Sequence, residues 1–281
     1  VSLALANRLV ENAPDQTGIE ITFGGFEAEC VEACTIAITG ACSEILLAGK
    51  PARAHATLQL KPGDVIAIPP HPIGARSYLA ISSGFRADEA FGSTSTYLPA
   101  RFGGMGGRAL AAGDLVHPVE NGILNAEHET PERLRPVFTH DFALRTCRTR
   151  ETELLDAPSQ DRLFGERFFA GRQATRMGLS LTGQTLSLHS DGMMKSAPVF
   201  PGTIQCPPSG VPVALLCDAQ TTGGYPRIAN IARGDRHLLG QIRTGDSVIL
   251  LERSADTAAK EHAEKQDMLR GWLGSKTLRL G

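Results

Sequence analysis

The sequence has almost no excess of charge of either sign. Its 28 lysines and arginines stand against 30 aspartates and glutamates, a formal net charge of −2 over 281 residues. That balance argues against a general nucleic-acid binder, which presents a basic stripe or patch. No apolar run reaches the roughly 20 residues of a membrane-spanning helix, and no signal-peptide pattern opens the chain. The six cysteines (Cys30, Cys34, Cys42, Cys147, Cys206 and Cys217) form no CxxC pair and show no metal-ligand spacing. Several fall in apolar strand-like runs, where cysteine behaves as a small buried hydrophobe. A reducing cytoplasm fits this usage, and an even count leaves disulfides open. The eight histidines, His55, His71 and His117 among them, are scattered and suggest no metal site. Neither the P-loop pattern GxxxxGK[ST] nor GxGxxG after a strand occurs.

Hydrophobic content of 42% and charged content of 21% are ordinary for a soluble globular protein, and the length suits one large or two medium domains. Thirty glycines and seventeen prolines, with few long helical patterns, point to a β-rich chain full of turns. Ser2 to Val10 has apolar residues at helical spacing and is broken by Asn12-Ala13-Pro14-Asp15. Short strands are expected at 19–23, 26–31, 35–39, 45–48, 65–68 and 75–82. Glu120 to Ser159, charged and punctuated by proline, reads as a crossing between subdomains, with His140-Asp141 an incidental neighbour pair. Gln160 to Ala170 reads as a short helix carrying Leu163, Phe164, Phe168 and Phe169 inward. Further strands are expected within 175–183, 203–206, 211–217, 228–232 and 247–251. A helical turn is expected at 235–239 and a C-terminal helix from Ser254 to Trp272. Three Gly-Asp turns, at Gly63-Asp64, Gly113-Asp114 and Gly245-Asp246, each stand beside an apolar strand. They read either as an echo between two β subdomains, 1–120 and 121–281, or as turn chemistry repeated without kinship.

Two stretches depart from this pattern. Asp218-Ala219-Gln220-Thr221-Thr222-Gly223-Gly224-Tyr225-Pro226-Arg227 follows an apolar run and gathers a carboxylate, an amide, hydroxyls, a phenol and a guanidinium. That is nearly every hydrogen-bonding group an amide-handling site would use. Gly223 and Gly224 allow close backbone approach, and Arg227 offers a planar fork for a carboxylate. The alternative is a long hairpin loop held by its own side chains. The second stretch runs from Ser93-Thr94-Ser95-Thr96-Tyr97 to Arg101-Phe102-Gly103-Gly104-Met105-Gly106-Gly107-Arg108. Four glycines in five residues suit no regular element. It reads as a loop whose backbone N–H groups face an anion between two arginines, or as a flexible surface loop.

Taken in order, Ser93–Tyr97, Phe102-Gly103-Gly104 and Gly107-Arg108, then Thr175-Arg176-Met177-Gly178, then Pro201-Gly202-Thr203-Ile204-Gln205-Cys206-Pro207, and finally Asp218–Ile228 resemble the allophanate hydrolase subunit 2 family. The resemblance spans essentially the whole chain, and its last block is the most specific. That family includes the KipA proteins, the C subunit of ATP-dependent 5-oxoprolinase, and the first half of the carboxyltransferase domain of urea carboxylase. The resemblance implies one domain of this carboxyltransferase A/B type over 1–281, mainly β, with cyclophilin-like β-barrel architecture, two β subdomains and a few short helices. It also implies a partner of the KipI or allophanate hydrolase subunit 1 type, and a site formed where the two proteins meet. Members usually carry a segment resembling VQDLGRxGxxxxGxPxSGAxD ahead of the SLALANRL helix, in which this sequence starts. If that segment lines the site, the chain by itself is expected to be inactive.

Three functions follow from the resemblance. The first is the C subunit of an ATP-dependent 5-oxoprolinase, which opens the lactam of 5-oxoproline to glutamate with a third, lactam-utilisation-type subunit. A sequence without a biotin carboxylase segment or a biotin-carrier Met-Lys-Met pattern favours it. The second is a carboxyltransferase half that moves carboxylate from carboxybiotin to a urea-like nitrogen. The third is a KipA-like binder of a KipI-type kinase inhibitor, with no catalysis. The first two require an amide or urea group held rigid while its oxygen meets positive partial charge. Gln220, Thr221 and Thr222 are the expected donors, with Gly223 and Gly224 admitting the substrate. Arg227 is expected to fix a carboxylate, Asp218 to receive a proton or orient Arg227, and Tyr225 to donate to an oxyanion or pack. Ser95, Tyr97, Gly103, Gly104 and Arg108 are expected to bind substrate from the other loop, the last three as an opposite wall. ATP is expected on another subunit or a shared interface, and no metal is expected.

Overall fold

The computed structural model describes residues 1–189 and 193–274, Gln173 by its backbone alone. The chain forms two compact units, Val1–Val137 with the end of the C-terminal helix, and Phe138–Leu269. In the first unit helix α1 (Ser2–Leu9) buries Leu5, Ala6 and Leu9 completely. It is followed by β1 (Ile19–Thr22), β2 (Phe26–Glu29), β3 (Cys34–Gly40), β4 (Ile45–Leu47), β5 (Lys50–Ala52), β6 (Thr57–Leu60), β7 (Val65–Ile68) and β8 (Arg76–Ile81). These pair as two four-stranded sheets, β1-β8-β3-β6 and β2-β7-β4-β5. Ile21, Ile36, Ile38 and Leu79 from one sheet meet Ile45, Ile66 and Ile68 from the other in one core. Branched side chains suit such a pleated, half-buried surface. From 82 to 137 the backbone makes isolated bridges and one 3₁₀ turn, Glu132–Leu134.

The second unit contains β9 (Asp141–Arg148), α2 (Ala157–Gly165), β10 (Arg167–Ala174), β11 (Gly178–Thr182), β12 (Ala197–Pro198), β13 (Thr203–Gln205), β14 (Val213–Leu215), β15 (Thr222–Gly223), β16 (Arg227–Ile231), α3 (Arg236–Leu239), β17 (Ser247–Glu252) and α4 (Ala255–Leu273). Seven strands close a barrel in the order β10-β11-β14-β13-β16-β9-β17, with β17 pairing back onto β10. β9 and β17 run parallel and the other neighbours antiparallel. Leu144, Phe168, Leu179, Leu181, Ile204, Ile228 and Val248 fill its interior. α2 starts at Asp156, whose Oδ1 accepts the Ser159 N–H at 2.8 Å, and buries Leu163. β12 and β15 form a separate two-stranded ribbon. The protein is thus mainly β, with a closed barrel and few helices.

Several sequence expectations change here. β9 occupies the stretch read as a crossing: Phe142, Leu144 and Thr146 are buried while Asp141 and Ala143 are exposed. The helix expected to carry Phe168 and Phe169 inward stops at Gly165, and both phenylalanines lie on β10. Consecutive strand residues face opposite sides, so Phe168 is 0% exposed and Phe169 43%. His140 bonds through Nδ1 to Asp246 Oδ1 at 2.8 Å. The three Gly-Asp turns share one geometry, with φ of +85°, +89° and +89° at Gly63, Gly113 and Gly245. In each, the aspartate Oδ2 accepts the N–H three residues back (Lys61, Ala111, Arg243) at 2.8, 2.7 and 2.8 Å. Glycine supplies the positive φ and aspartate closes the turn.

Candidate functional site

The stretch from Asp218 to Arg227 leaves β14 and returns as β16, and an ion pair fixes each end. Asp218 is buried, and its Oδ2 and Oδ1 accept Arg176 Nε at 2.7 Å and Nη2 at 3.2 Å. The Asp218 N–H also donates to the Arg176 carbonyl at 2.9 Å. At the far end the Arg227 N–H (2.5 Å) and Nε (2.9 Å) donate to Glu151 Oε2, and Nη2 donates to Oε1. Glu151 stands in the 3₁₀ turn Arg150–Leu154, which Thr149 caps. The Thr149 hydroxyl donates to the Arg227 carbonyl, and the Thr152 hydroxyl to the Ile228 carbonyl at 2.6 Å. Burial opposes ionisation of Glu151. The bonds from the Arg227 side chain and backbone outweigh that cost and hold the carboxyl below its ordinary range.

Between these anchors, Thr222 and Gly223 pair with Pro198 and Ala197 in the ribbon. The Thr221 and Gly224 carbonyls accept the Val199 and Met194 N–H groups at 2.9 and 2.8 Å. The buried Gln205 lies under the loop. Its Oε1 accepts Gln220 Nε2 at 3.4 Å, and its Nε2 donates to the Tyr225 carbonyl at 3.3 Å. A Cβ on Gly223 would stand 2.6 Å from Gln205 Nε2, so the backbone there approaches the protein's own amide. The groups facing outward are Gln220, Thr221 and Thr222, with Tyr225 41% exposed.

These partners bear on two of the expectations. Asp218 does not orient Arg227, because Arg176 takes both of its oxygens. Arg227, expected to fix a substrate carboxylate, has its Nε–Nη2 edge on Glu151, and its Nη1 lies 3.5 Å from the Pro198 carbonyl. Arg176, Glu151 and Gln205 are the residues that sequence reasoning passed over. Arg176 and Gln205 stand inside the blocks that carried the family resemblance, which was the available signal for them. Glu151 stands in a charged stretch with no distinguishing pattern.

In the first unit the glycine-rich loop folds onto itself. The Gly104 N–H is shared between the Asp88 and Thr94 carbonyls, both at 3.1 Å, and the Gly107 N–H donates to the Gly103 carbonyl at 2.9 Å. The Gly106 N–H donates to the Asp88 carboxylate at 3.1 Å. A Cβ at Gly103 would fall 2.2 Å from the Ser95 carbonyl oxygen, at Gly104 1.8 Å from Thr96 Oγ1, and at Gly107 2.1 Å from the Arg101 carbonyl. Where the sequence suggests N–H groups facing an external anion, the Gly106 N–H meets the protein's own Asp88 carboxylate and those of Gly104 and Gly107 meet backbone carbonyls. Arg108 is committed as well, with Nη1 and Nη2 on Asp114 at 2.6 and 2.7 Å. That contact brings the Asp114 carboxyl down to about 2. Ser95 is exposed, and the half-buried Tyr97 packs on Phe102 with ring centres 5.4 Å apart.

The family described as carboxyltransferase domain, subdomain A and B, matches residues 1–251. This chain belongs to that family. Among curated relatives of this carboxyltransferase-type chain, the 5-oxoprolinase C subunit of Haemophilus influenzae is 34% identical over 260 residues, 92% of this chain and 82% of that protein. The protein of the same name from Escherichia coli is 32% identical over 265 residues, 94% of this chain and 84% of its own length. Urea amidolyase of Saccharomyces cerevisiae is 27% identical over 301 residues, 99% of this chain but 16% of that protein. The solved Kluyveromyces lactis urea carboxylase superimposes with a TM-score of 0.90 at 22% identity, covering 100% of this chain and 26% of that one. The fold is therefore shared with a segment of a much longer protein. No described helix is long and apolar enough to cross a membrane.

Proposed function

We propose that this chain is a subunit of an ATP-dependent 5-oxoprolinase, acting with partner subunits in the cytoplasm to open 5-oxo-L-proline to L-glutamate. The observation that carries this reading is the alignment of two proteins named as 5-oxoprolinase C subunits with at least 92% of the chain and 82% of their own length. The partners fit a KipI or subunit 1-type chain and a lactam-utilisation-type chain. Opening a lactam moves electron density onto the carbonyl oxygen, and fixed donors stabilise that charge. We assign this task to the hydroxyls of Thr221 and Thr222 and the phenol of Tyr225, all exposed residues of the loop, and to the Gln220 amide, whose nitrogen also donates to Gln205. The pairs Arg176–Asp218 and Glu151–Arg227 hold those donors in register, so Asp218 and Arg227 act by positioning. The glycine-rich loop does not suit a triphosphate, since its Gly104, Gly106 and Gly107 amides are bonded within the protein and the Gly106 amide meets the Asp88 carboxylate. ATP is left to the partner subunits.

Co-expressed with its neighbouring subunits, the wild-type chain is expected to support glutamate release from 5-oxoproline and ATP, and omission of the chain to abolish it. Gln220→Ala or Thr222→Ala is expected to lower turnover by about tenfold or more, the scale of one lost transition-state donor, with the melting temperature unchanged. Near-wild-type turnover in both variants would remove this loop from the site. Activity that does not need the chain would sink the function. A second reading, the carboxyltransferase half of a biotin-dependent urea-amidolyase-type carboxylase, is favoured by the family description and by a urea amidolyase matching 99% of the chain. Its signature is biotin-dependent carboxylation of urea without glutamate release. A stable complex silent in both assays is the outcome expected of a KipA-like regulatory binder.

A further inference from the structure

We propose that Cys30 and Cys34 form an oxidisable pair that closes a reversible disulfide between the two sheets of the first unit. Cys30 directly follows β2 and Cys34 opens β3, strands that belong to different sheets. Both backbones are pinned. The Cys30 N–H donates to the Asp64 carbonyl and its carbonyl accepts the Gly63 N–H, both at 2.8 Å, while Cys34 pairs with Leu60 across β3 and β6. From these two positions the sulfurs meet at 3.8 Å. Cys42, Cys206 and Cys217 direct theirs to the carbonyls of Gly40, Pro207 and Arg176. A disulfide requires a separation of about 2.05 Å. The intervening turn can give: Val31 and Glu32 are exposed, and Cys34 is half-buried.

Hydrogen peroxide is the oxidant. The Cys34 sulfur, the more accessible of the two, attacks a peroxide oxygen. The O–O bond breaks, one water leaves and a sulfenic acid remains. Cys30 then attacks that sulfur, the S–S bond forms, and the hydroxyl departs with a proton as a second water. Two thiols lose two electrons and the peroxide gains them. Burial, reinforced by Cys30, raises the Cys34 thiol to about 12, so thiolate is scarce near neutrality. Closure is accordingly slow, and the pair stays reduced in a reducing compartment. Closing it withdraws the Cys30 sulfur from the Glu32 carbonyl, now 2.9 Å away, in the same turn whose Glu32 carboxylate accepts the Asn121 amide.

The test uses the intact folded protein. It is exposed to hydrogen peroxide, alkylated, and digested with a glutamyl endopeptidase without reductant. Cleavage after Glu32 and Glu44 places Cys30 on one peptide and Cys34, with Cys42, on another, so the two travel together only if bonded and part on reduction, and fragmentation of the 33–44 peptide tells which of its sulfurs is bonded. The expected result is a Cys30–Cys34 linked pair from folded protein, lost in Cys34→Ser, and a mixture of pairings when the chain is oxidised unfolded. The exposed Cys217 reports that the oxidant dose sufficed. Cys217 oxidised with Cys30 and Cys34 both still alkylatable would overturn the proposal, as would Cys34 bonded to Cys42 instead.

Discussion

The loops 93–108 and 218–227 draw on the same residues, hydroxyls, adjacent glycines, a tyrosine and an arginine, yet they are held in opposite ways. The first is fixed chiefly by residues close to it in sequence, with one distant bond between the Thr94 and Thr17 hydroxyls at 2.7 Å. Gly103 and Gly107 lie against its own backbone, the Gly104 and Gly106 amides serve Asp88, and Arg108 pairs six residues away with Asp114. The second is fixed from outside. Its terminal residues pair with Arg176 and Glu151, 42 and 76 positions away, and its central side chains face outward. A run of glycines therefore marks close backbone packing without saying what it packs against. Donors available to a substrate are found where distant residues carry the burden of fixing the loop.

The largest expected effect comes from adding one methyl group to the self-packed loop. Gly106 and Gly107 have nearly equal φ, +62° and +67°. A Cβ at Gly106 meets nothing within 4 Å, whereas one at Gly107 falls 2.1 Å from the Arg101 carbonyl. Gly106→Ala then costs only the left-handed backbone penalty, about 1 kcal/mol. Gly107→Ala adds a backbone clash and is expected to cost about 3 kcal/mol or more. Urea denaturation of the two variants checks this, and equal losses would show that the loop is not locked by its own backbone.

The externally held loop breaks at Glu151. Glu151→Ala leaves the half-buried Arg227 guanidinium and its N–H without their acceptor, an expected loss of about 2–3 kcal/mol. Glutamate release should fall with it, because the donors at 220–222 lose their anchor. Unchanged stability would show that the loop is not held from this end. Protonation gives a gentler version of the same break. The Glu151 carboxyl is held below its ordinary range when folded. Its contribution is therefore complete above the unfolded value, about 4.3, and disappears as pH falls through the lowered folded value. The stability gap between wild type and Glu151→Gln should narrow from pH 7 to pH 3. A constant gap would mean that the carboxylate charge contributes nothing.

Local periodicity made the elements legible where one face is buried. Leu5 and Leu9 on α1, and the alternation Leu179, Leu181 on β11, are visible by eye. β9 was obscured because Asp141 and Arg145 on its less buried face, and Arg148 at its exposed end, make the segment look like a charged crossing, although Phe142, Leu144 and Thr146 keep strict alternation. The polar composition of 218–227 was equally legible, but its ion pairing was not. Arg227, nine residues from Asp218, is the local candidate. The true partners sit on β10–β11 and beside β9, and barrel closure, which no local pattern specifies, brings them there.

The smallest expected effect is at Arg108. Its side chain is 51% exposed, and pairs between exposed charges contribute little because water and salt screen them. Asp114 keeps its bond from the Ala111 N–H at 2.7 Å when Arg108 is removed, so the turn itself survives. Arg108→Ala is therefore expected to leave the melting temperature unchanged within error. Because Asp114 already occupies the guanidinium fork, the KM for 5-oxoproline in the reconstituted assembly should also be unchanged. A tenfold rise in KM with an unaltered melting temperature would mean that Arg108 leaves Asp114 for the substrate. The self-packed loop would then share the role of the other. Asp114→Asn would sharpen that outcome, since a weakened pair should lower KM if Arg108 serves the substrate and leave it alone if it does not.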